Sequence, residues 1–227
     1  MLLFLLGCIM SGEPDKTQSY SVDWVEVGYR RITSDIADSS IRISIMRDGE
    51  EAGHGSGNYF EYRGKDFVVT AAHVVDNEMD MAILDGNDKV KIKIVFIDFE
   101  NDVAILKTEK KLVNSKPMRW VLNKSGNLAG SEIYYSGFPS HYGKLLISGM
   151  VSSIENEGAI IQAFALPGSS GSVVFDKHGR AVGVVSAVGL HASQFSPFPS
   201  IQEDIVFISR VSHLDTRMIL EVLKCAE

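Results

Sequence analysis

From residue 41 onward the sequence is a series of short apolar runs, each ended by glycine or polar turn residues. The runs include IRISIM, NYFEY, KDFVVT and KVKIKIVFIDF, and later EIYYSGF, KLLISGMV and AVGVVSAV. Runs of this length, rich in β-branched and aromatic residues and separated by turns, predict antiparallel strands. Asp176 to Gly179, DKHG, predicts one of the hairpin turns. The simplest architecture for so many short strands is a pair of antiparallel β-barrels.

A connector divides the strand-rich region. It runs from Glu109 to Trp120 and contains a proline and a cluster of charges. We therefore expect a first barrel over about residues 40–110 and a second over about 120–212. Only the last stretch has helical spacing of apolar residues, which predicts a C-terminal helix over about 213–225 with Ser212 as its cap.

The first ten residues, MLLFLLGCIM, are apolar and precede a polar stretch. We interpret residues 1–39 as a leader and linker. Leu5 to Cys8 resembles the site at which bacterial lipoproteins are cleaved and acylated, but no Lys or Arg precedes Cys8 as a secretory signal requires. A lipid anchor on Cys8, a truncated signal and a plain apolar terminus therefore remain open. We expect an extracytoplasmic protein, periplasmic or membrane-anchored, without excluding the cytoplasm.

Charge and cysteine content narrow the classes of function. The 227 residues carry a formal net charge of −7, so no basic surface is predicted to neutralise nucleic-acid phosphates. The two cysteines, Cys8 and Cys225, lie at opposite ends and predict no disulfide framework. The histidines outside the motifs below lack partners at metal-ligand spacing, and we expect His54 and His141 to be solvated. We predict no metal and no cofactor.

One stretch, ALPGSSGSVVF, places three serines between glycines and ahead of an apolar strand. A reactive serine needs backbone N–H donors near its hydroxyl to stabilise an oxyanion. Ser169 is disfavoured because the residue two before it is Pro167, which has no N–H. Ser170 has Gly168 two before it, whereas Ser172 begins the strand and is expected to pack inside. Ser170 is thus the best candidate nucleophile.

Two further motifs supply the partners that a reactive serine needs. FVVTAAHVV places His73 just after a strand, and ENDVAILK places Asp102 just before one. Either residue alone is more often structural or solvated. Together with Ser170 they follow the chain order His, Asp, Ser, which is one of the known orders of a catalytic triad.

The motifs TAAH, NDVAIL, PGSSGS and GVVSAVG resemble those of the trypsin-like, chymotrypsin-fold serine endopeptidases, particularly the bacterial HtrA-type and related viral branches. The resemblance covers about residues 41–224. It implies an all-β fold of two antiparallel six-stranded barrels, with the active site in the cleft between them and a protein or peptide as substrate. We expect no PDZ domain of the kind that HtrA-type proteases append, and the oligomeric state stays open.

Position by position, the resemblance makes His73 the general base, Asp102 the carboxylate that orients it and Ser170 the nucleophile. It makes the N–H groups of Gly168 and Ser170 the oxyanion hole.

The resemblance also implies a substrate-binding region. Ser186 would lie beside Asp102, and the backbone from Ser186 to Val188 would pair with an extended substrate. Phe164 occupies the position at the base of the specificity pocket, where trypsin-like specificity for Lys or Arg needs an acidic residue. With Ala187 and Val188 as walls, we expect a small or medium apolar residue at P1, the position before the cleaved bond. The alternative to an active endopeptidase is an inactive protease-fold scaffold that binds peptides.

Overall fold

The structure is a computed structural model that describes residues 24–75, 80–125, 127–155, 158–191 and 200–225. Its first barrel has six antiparallel strands and is closed because the first strand pairs with both the second and the fourth. The strands are β1 (Ser40–Arg47), β2 (Glu50–Tyr62), β3 (Lys65–Thr70), β4 (Asp80–Asp85), β5 (Asp88–Asp98) and β6 (Val103–Thr108). A two-residue strand of the connector, β7 (Met118–Arg119), adds to β2 in parallel.

The second barrel is also closed and has six strands, in the order β10-β13-β12-β11-β8-β9. These are β8 (Glu132–Gly137), β9 (Leu145–Glu155), β10 (Gly158–Gln162), β11 (Val173–Asp176), β12 (Ala181–His191) and β13 (Ser200–Arg210). The predicted turn at Asp176 to Gly179 joins β11 to β12, and the Gly179 N–H donates to the Asp176 carbonyl at 2.9 Å. The expectation of two six-stranded antiparallel barrels is confirmed.

Among the described residues, three helices accompany the barrels: α1 (Trp24–Ser39), α2 (Ala72–Val75) and α3 (Thr216–Cys225). The predicted C-terminal helix is present as α3, but its cap is Asp215 rather than Ser212. Asp215 Oδ1 accepts the N–H groups of Arg217 and Met218, both at 2.8 Å, because an acceptor at this position satisfies donors of the first helical turn.

Helix α1 occupies the end of the segment that we interpreted as a leader and linker. Its Ile36 is completely buried, and the ring of Tyr29 meets that of Tyr134 on β8 edge-on at 5.3 Å. The Lys144 ammonium donates to the Ala37 carbonyl at 2.8 Å near the helix end. Residues 24–39 thus pack against the second barrel.

Aromatic residues hold the two barrels together. Phe60 on β2 packs against Trp120 of the connector at a ring separation of 4.7 Å and against Phe175 on β11 at 6.1 Å. All three side chains are at most 2% exposed. Burying a large apolar side chain stabilises a fold by about 1.5–3 kcal/mol, so this cluster fixes one barrel against the other.

Hydrogen bonds between buried polar groups also join the two barrels. The Val173 N–H donates to Asn58 Oδ1 at 2.9 Å, and the Ser40 hydroxyl donates to the Ser136 carbonyl at 2.9 Å. Buried polar groups are costly unless paired, and each of these bonds exists only when the barrels are docked. The cleft between them is therefore held in a fixed geometry.

The turn between β5 and β6 is held by Asp98, which accepts the backbone N–H of Asn101 at 3.0 Å and its side-chain amide at 2.8 Å. His213, just before α3, lies 3.4 Å from the same carboxylate. Burial alone would raise the pKa of Asp98, but these hydrogen bonds and the nearby His213 outweigh it and lower the pKa below its usual value.

We predict that Asp98→Ala lowers the free energy of unfolding by about 1–2 kcal/mol at pH 7. Because the folded-state pKa is lowered, the stabilisation is present above the ordinary aspartate pKa and is lost as pH falls through the folded value. Urea unfolding at several pH values measures both effects. Asp88→Ala, which removes an exposed pair with Lys110, is the control and should cost less than about 1 kcal/mol. An Asp98→Ala effect independent of pH would contradict the prediction.

Candidate active site

His73 and Asp102 meet because two neighbouring strands end side by side. His73 lies in the single-turn helix α2 that follows β3, and Asp102 immediately precedes β6. Strands β3 and β6 are paired, with Thr70 opposite Ala104. His73 Nδ1 consequently lies 3.0 and 2.8 Å from the two carboxylate oxygens of Asp102, and its backbone N–H donates to Oδ1 at 2.9 Å.

A third partner of Asp102 comes from the second barrel. The hydroxyl of Ser186, on β12, donates to Asp102 Oδ2. Burial would raise the pKa of Asp102, but the hydrogen bonds from His73 and Ser186 outweigh it, and the pKa lies below its usual value. The carboxylate therefore remains charged, and one side chain connects both barrels. Its backbone has a φ of 49°, a conformation that aspartate tolerates better than most residues.

The three serines of the 169–172 loop differ in exposure. Ser169 and Ser172 are 1% and 0% exposed, whereas Ser170 is partly exposed. The backbone of Ser170 is held from two sides: its carbonyl accepts the Ser56 N–H at 2.8 Å, and the next N–H, of Gly171, donates to the Val185 carbonyl at 2.8 Å. Ser170 is the member of the three with a side chain open to solvent.

Two glycines bring this loop against the His73 helix. A Cβ on Gly171, which has a φ of 90°, would collide with the Ser56 carbonyl and the Thr70 hydroxyl, three residues before His73. A Cβ on Gly55 would lie 2.6 Å from Val74 and 3.2 Å from the Ser170 carbonyl. Only glycine permits such contacts, and they place Ser170 beside α2.

The structure does not join Ser170 to His73 by a hydrogen bond. In the described part of the chain, the imidazole bonds to Asp102 and not to the Ser170 hydroxyl. Hydrogen bonds between catalytic groups are often long without substrate and shorten when it binds. His73 is 48% exposed at the side chain and Asp102 19%, so the imidazole faces the open cleft while the carboxylate is shielded.

The backbone N–H groups of Gly168 and Ser170 are the predicted oxyanion hole. The Pro167 carbonyl accepts the Ser140 N–H at 2.6 Å, and the Ser169 carbonyl accepts the Ser172 N–H at 3.1 Å. In a trans peptide the N–H points opposite to the carbonyl, so the N–H groups of Gly168 and Ser170 point away from these partners. Among the described residues neither N–H has an acceptor, which leaves both free to bind an oxyanion.

Strand β12 extends beyond the end of β11. Val184 is the last residue of β12 paired with β11, whereas Ala187 and Val188 pair only with β13 on the other side. Within the described ranges, the free edge of β12 at Ser186 to Val188 thus has no partner strand. An edge of this kind can bind an extended peptide as an additional strand.

Phe164 is 36% exposed and borders a cavity of about 680 Å³ together with Ile201, Gln202, Glu203 and Asp204. Ala187 and Val188 are not among the described residues that line this cavity.

Within the described ranges, no group of three or more His, Cys, Asp or Glu side chains is arranged to hold a metal ion. No helix among those residues has the length and apolar composition needed to cross a membrane. Cys8, for which lipid attachment is one of the alternatives left open, lies outside the described residues.

A sequence profile of the trypsin-like peptidase domain matches residues 55–184. The chain belongs to the trypsin-like peptidase family. The match begins at Gly55, beside His54, and ends in β12 at Val184, so it includes His73, Asp102 and Ser170.

The chain is also similar in sequence to individual serine proteases. The chain is 31% identical to a "Serine protease HtrA-like" of Staphylococcus epidermidis over 153 residues, which is 58% of this chain and 26% of that protein. It is 29% identical to a "Serine protease Do-like HtrA" of Lactobacillus helveticus over 175 residues, 70% of this chain and 41% of that one. The chain therefore spans between a quarter and a half of the length of these relatives.

The solved structures show the same fold. The crystal structure of the serine endoprotease from Yersinia pestis superposes with a TM-score of 0.64 at 19% identity, covering 86% of this chain and 66% of the other. The predicted chymotrypsin-like fold and the resemblance to HtrA-type members of the trypsin-like family are confirmed.

Sequence reasoning missed three residues of this trypsin-like chain that hold the backbone around Gly168. His54 was expected to be solvated, but its side chain is only 14% exposed and bonds to the Phe138 carbonyl at 2.8 Å. Ser56 donates to the Gly168 carbonyl at 2.7 Å, and Ser140 is the N–H donor to Pro167. Each bond joins residues more than 25 positions apart, so no local pattern could have indicated them.

We predict that Ser186→Ala raises the pKa of Asp102, because the variant removes one of the hydrogen bonds that stabilise the charged carboxylate, while those from His73 remain. Carbon-13 NMR titration of the aspartate carboxyl groups measures the change. Ser148→Ala, at an exposed position of β9, is the matched control. An Asp102 pKa that is unchanged or lower in Ser186→Ala would contradict the prediction.

Proposed function

We propose that this chain is a serine endopeptidase that hydrolyses peptide bonds through an acyl-enzyme, with Ser170 as nucleophile, His73 as general base and Asp102 as the carboxylate that orients it. The observation that carries the proposal is the bond between His73 Nδ1 and Asp102, with the Ser170 loop packed against the same helix. Family membership and the HtrA-like relatives support peptidase chemistry.

The hydrogen bonds of His73 determine which of its nitrogens can act as the base. A carboxylate only accepts hydrogen bonds, so Nδ1 of His73 carries the proton that it shares with Asp102. In the neutral imidazole the other nitrogen, Nε2, then has a free lone pair. Nε2 is the atom that can take a proton from the Ser170 hydroxyl.

The reaction then proceeds in two steps, acylation of Ser170 and hydrolysis of the acyl-enzyme. Ser170 Oγ attacks the substrate carbonyl carbon while its proton passes to His73 Nε2, and the N–H groups of Gly168 and Ser170 bind the oxyanion that forms. The tetrahedral intermediate collapses to the acyl-enzyme as His73 protonates the departing amine. Water, deprotonated by His73, attacks the ester carbonyl, and His73 then returns this proton to Ser170 Oγ as the acid is released.

The substrate would bind as an extended strand along the free edge of β12. Backbone groups of Ser186 to Val188 would supply its main-chain hydrogen bonds. Ser186 contributes its hydroxyl to Asp102 and its backbone to this edge, which couples substrate position to the triad.

The proposal that the protein is exported rests on the sequence alone. The apolar N-terminus and Cys8 are consistent with a periplasmic or membrane-anchored peptidase, and a protein or peptide is the partner that this chemistry implies.

The assignment of Ser170 predicts that a fluorophosphonate probe labels the wild-type protein and that Ser170→Ala abolishes labelling. Asp102→Asn should lower kcat about 10⁴-fold on a peptide substrate, because the imidazole then holds the wrong tautomer. In-gel fluorescence and steady-state kinetics measure these effects, with Ser148→Ala as a control that labels normally. A folded wild-type protein that is not labelled would favour an inactive peptide-binding scaffold.

We further propose a small or medium apolar residue at P1, because Phe164 stands at the sequence position where trypsin-like specificity for Lys or Arg needs an acidic residue, and the expected pocket walls, Ala187 and Val188, are apolar. Mass-spectrometric profiling of cleavage in a peptide library should show Ala, Val or Leu before the cut bond. Phe164→Asp should shift the profile toward Lys and Arg if Phe164 faces the P1 side chain. Cleavage of wild type after Lys or Arg would contradict the proposal.

A further inference from the structure

His54 lies directly beneath the loop that carries Gly168. It is a residue of β2, with a side chain only 14% exposed. Its Nε2 lies 2.8 Å from the Phe138 carbonyl oxygen, and its Nδ1 lies 3.1 Å from a guanidinium nitrogen of Arg42. Both ring nitrogens are therefore engaged.

These two partners determine the protonation state of the ring. A guanidinium can only donate, so Nδ1 of His54 must accept from Arg42. A carbonyl can only accept, so Nε2 must donate to Phe138. In this geometry His54 is neutral and carries its proton on Nε2.

The bond from His54 to Phe138 supports the oxyanion loop. A Cβ on Gly168 would lie 2.5 Å from the Phe138 carbonyl oxygen and 2.6 Å from His54 Nε2, so the glycine packs directly on this hydrogen bond. Two residues after Phe138, the Ser140 N–H donates to the Pro167 carbonyl at 2.6 Å. That bond sets the direction of the Gly168 N–H.

The same segment is attached to β2 a second time. Ser56 accepts the Phe138 N–H at 2.9 Å and donates to the Gly168 carbonyl at 2.7 Å. His54 and Ser56, two residues apart on one strand, thus hold both the N–H and the carbonyl of Phe138. Ser56 bonds directly to the peptide that follows Gly168, and the Phe138–Ser140 segment bonds to the peptide that precedes it.

We propose that neutral His54 is a positioning residue of the oxyanion hole, which holds the Phe138–Ser140 segment so that the Gly168 N–H points into the cleft. The proposal rests on the proposed function, because it assigns Gly168 as a donor to the reaction's oxyanion. It adds a second histidine, outside the triad, on which activity depends.

The test compares His54→Ala with His54→Gln, whose amide can still donate to the Phe138 carbonyl. His178→Gln, at an exposed histidine of the β11–β12 turn, is the control. We expect His54→Ala to lower kcat about ten- to a hundredfold and to leave KM within twofold. The loss should be smaller than the roughly 10²- to 10³-fold loss on removal of a whole oxyanion donor, because the Gly168 N–H is still present. Binding of a peptide aldehyde, whose adduct uses the oxyanion hole, should weaken by the same factor.

His54→Gln should keep most of the wild-type kcat, because its amide can still donate to the Phe138 carbonyl. Folding is checked by circular dichroism. A folded His54→Ala with wild-type kcat would overturn the proposal. If His54→Ala does not fold, His54→Gln decides, and a folded His54→Gln with a kcat lowered tenfold or more overturns it. A wild-type protein without fluorophosphonate labelling would instead refute the proposed function.

Discussion

The carboxylate of Asp102 accepts hydrogen bonds from both barrels and so joins them at the candidate site. It binds His73 from the first barrel through both the imidazole and the backbone N–H, and it accepts the Ser186 hydroxyl from the second. Because these donors outweigh the effect of burial, its pKa is lowered and the charge is retained. The tautomer of His73 follows from that charge, and the free edge of β12 is held beside the triad by the same contact.

The packing between the barrels makes this contact possible. The cluster of Phe60, Trp120 and Phe175 and the buried bonds of Asn58 and Ser40 hold the cleft in one geometry. A catalytic arrangement shared by two barrels needs such rigidity, since a displacement of about 1 Å can cost a hundredfold in rate. Strand β2 contributes twice, because it also carries the His54 and Ser56 contacts beneath Gly168.

Much of the fold and of the proposed triad could be predicted locally. Strand periodicity indicated the barrels, and each motif surrounding His73, Asp102 and Ser170 has a short-range signature, because a turn or a tight loop must be encoded next to the residue it positions. The cap of α3 and the role of helix α1 were less accessible. Asp215 and Ser212 are both suitable caps in sequence, and the packing of Ile36 depends on a barrel far along the chain.

By itself, the sequence determined the alternation of strands and the order of His73, Asp102 and Ser170, and it favoured Ser170 over Ser169 and Ser172, since the constraints of proline and glycine act within a few residues. The family resemblance placed Ser186 beside Asp102, and the structure shows the hydrogen bond between them. Only the tertiary structure decided that Asp102 also accepts the His73 backbone N–H, that Phe164 shares a cavity with Glu203 and Asp204, and that His54 is bonded rather than solvated. The physical reason is distance along the chain. Hydrogen bonds such as those from His54 to Phe138 and from Ser56 to Gly168 join residues on different barrels, and they exist only once both barrels have closed and docked.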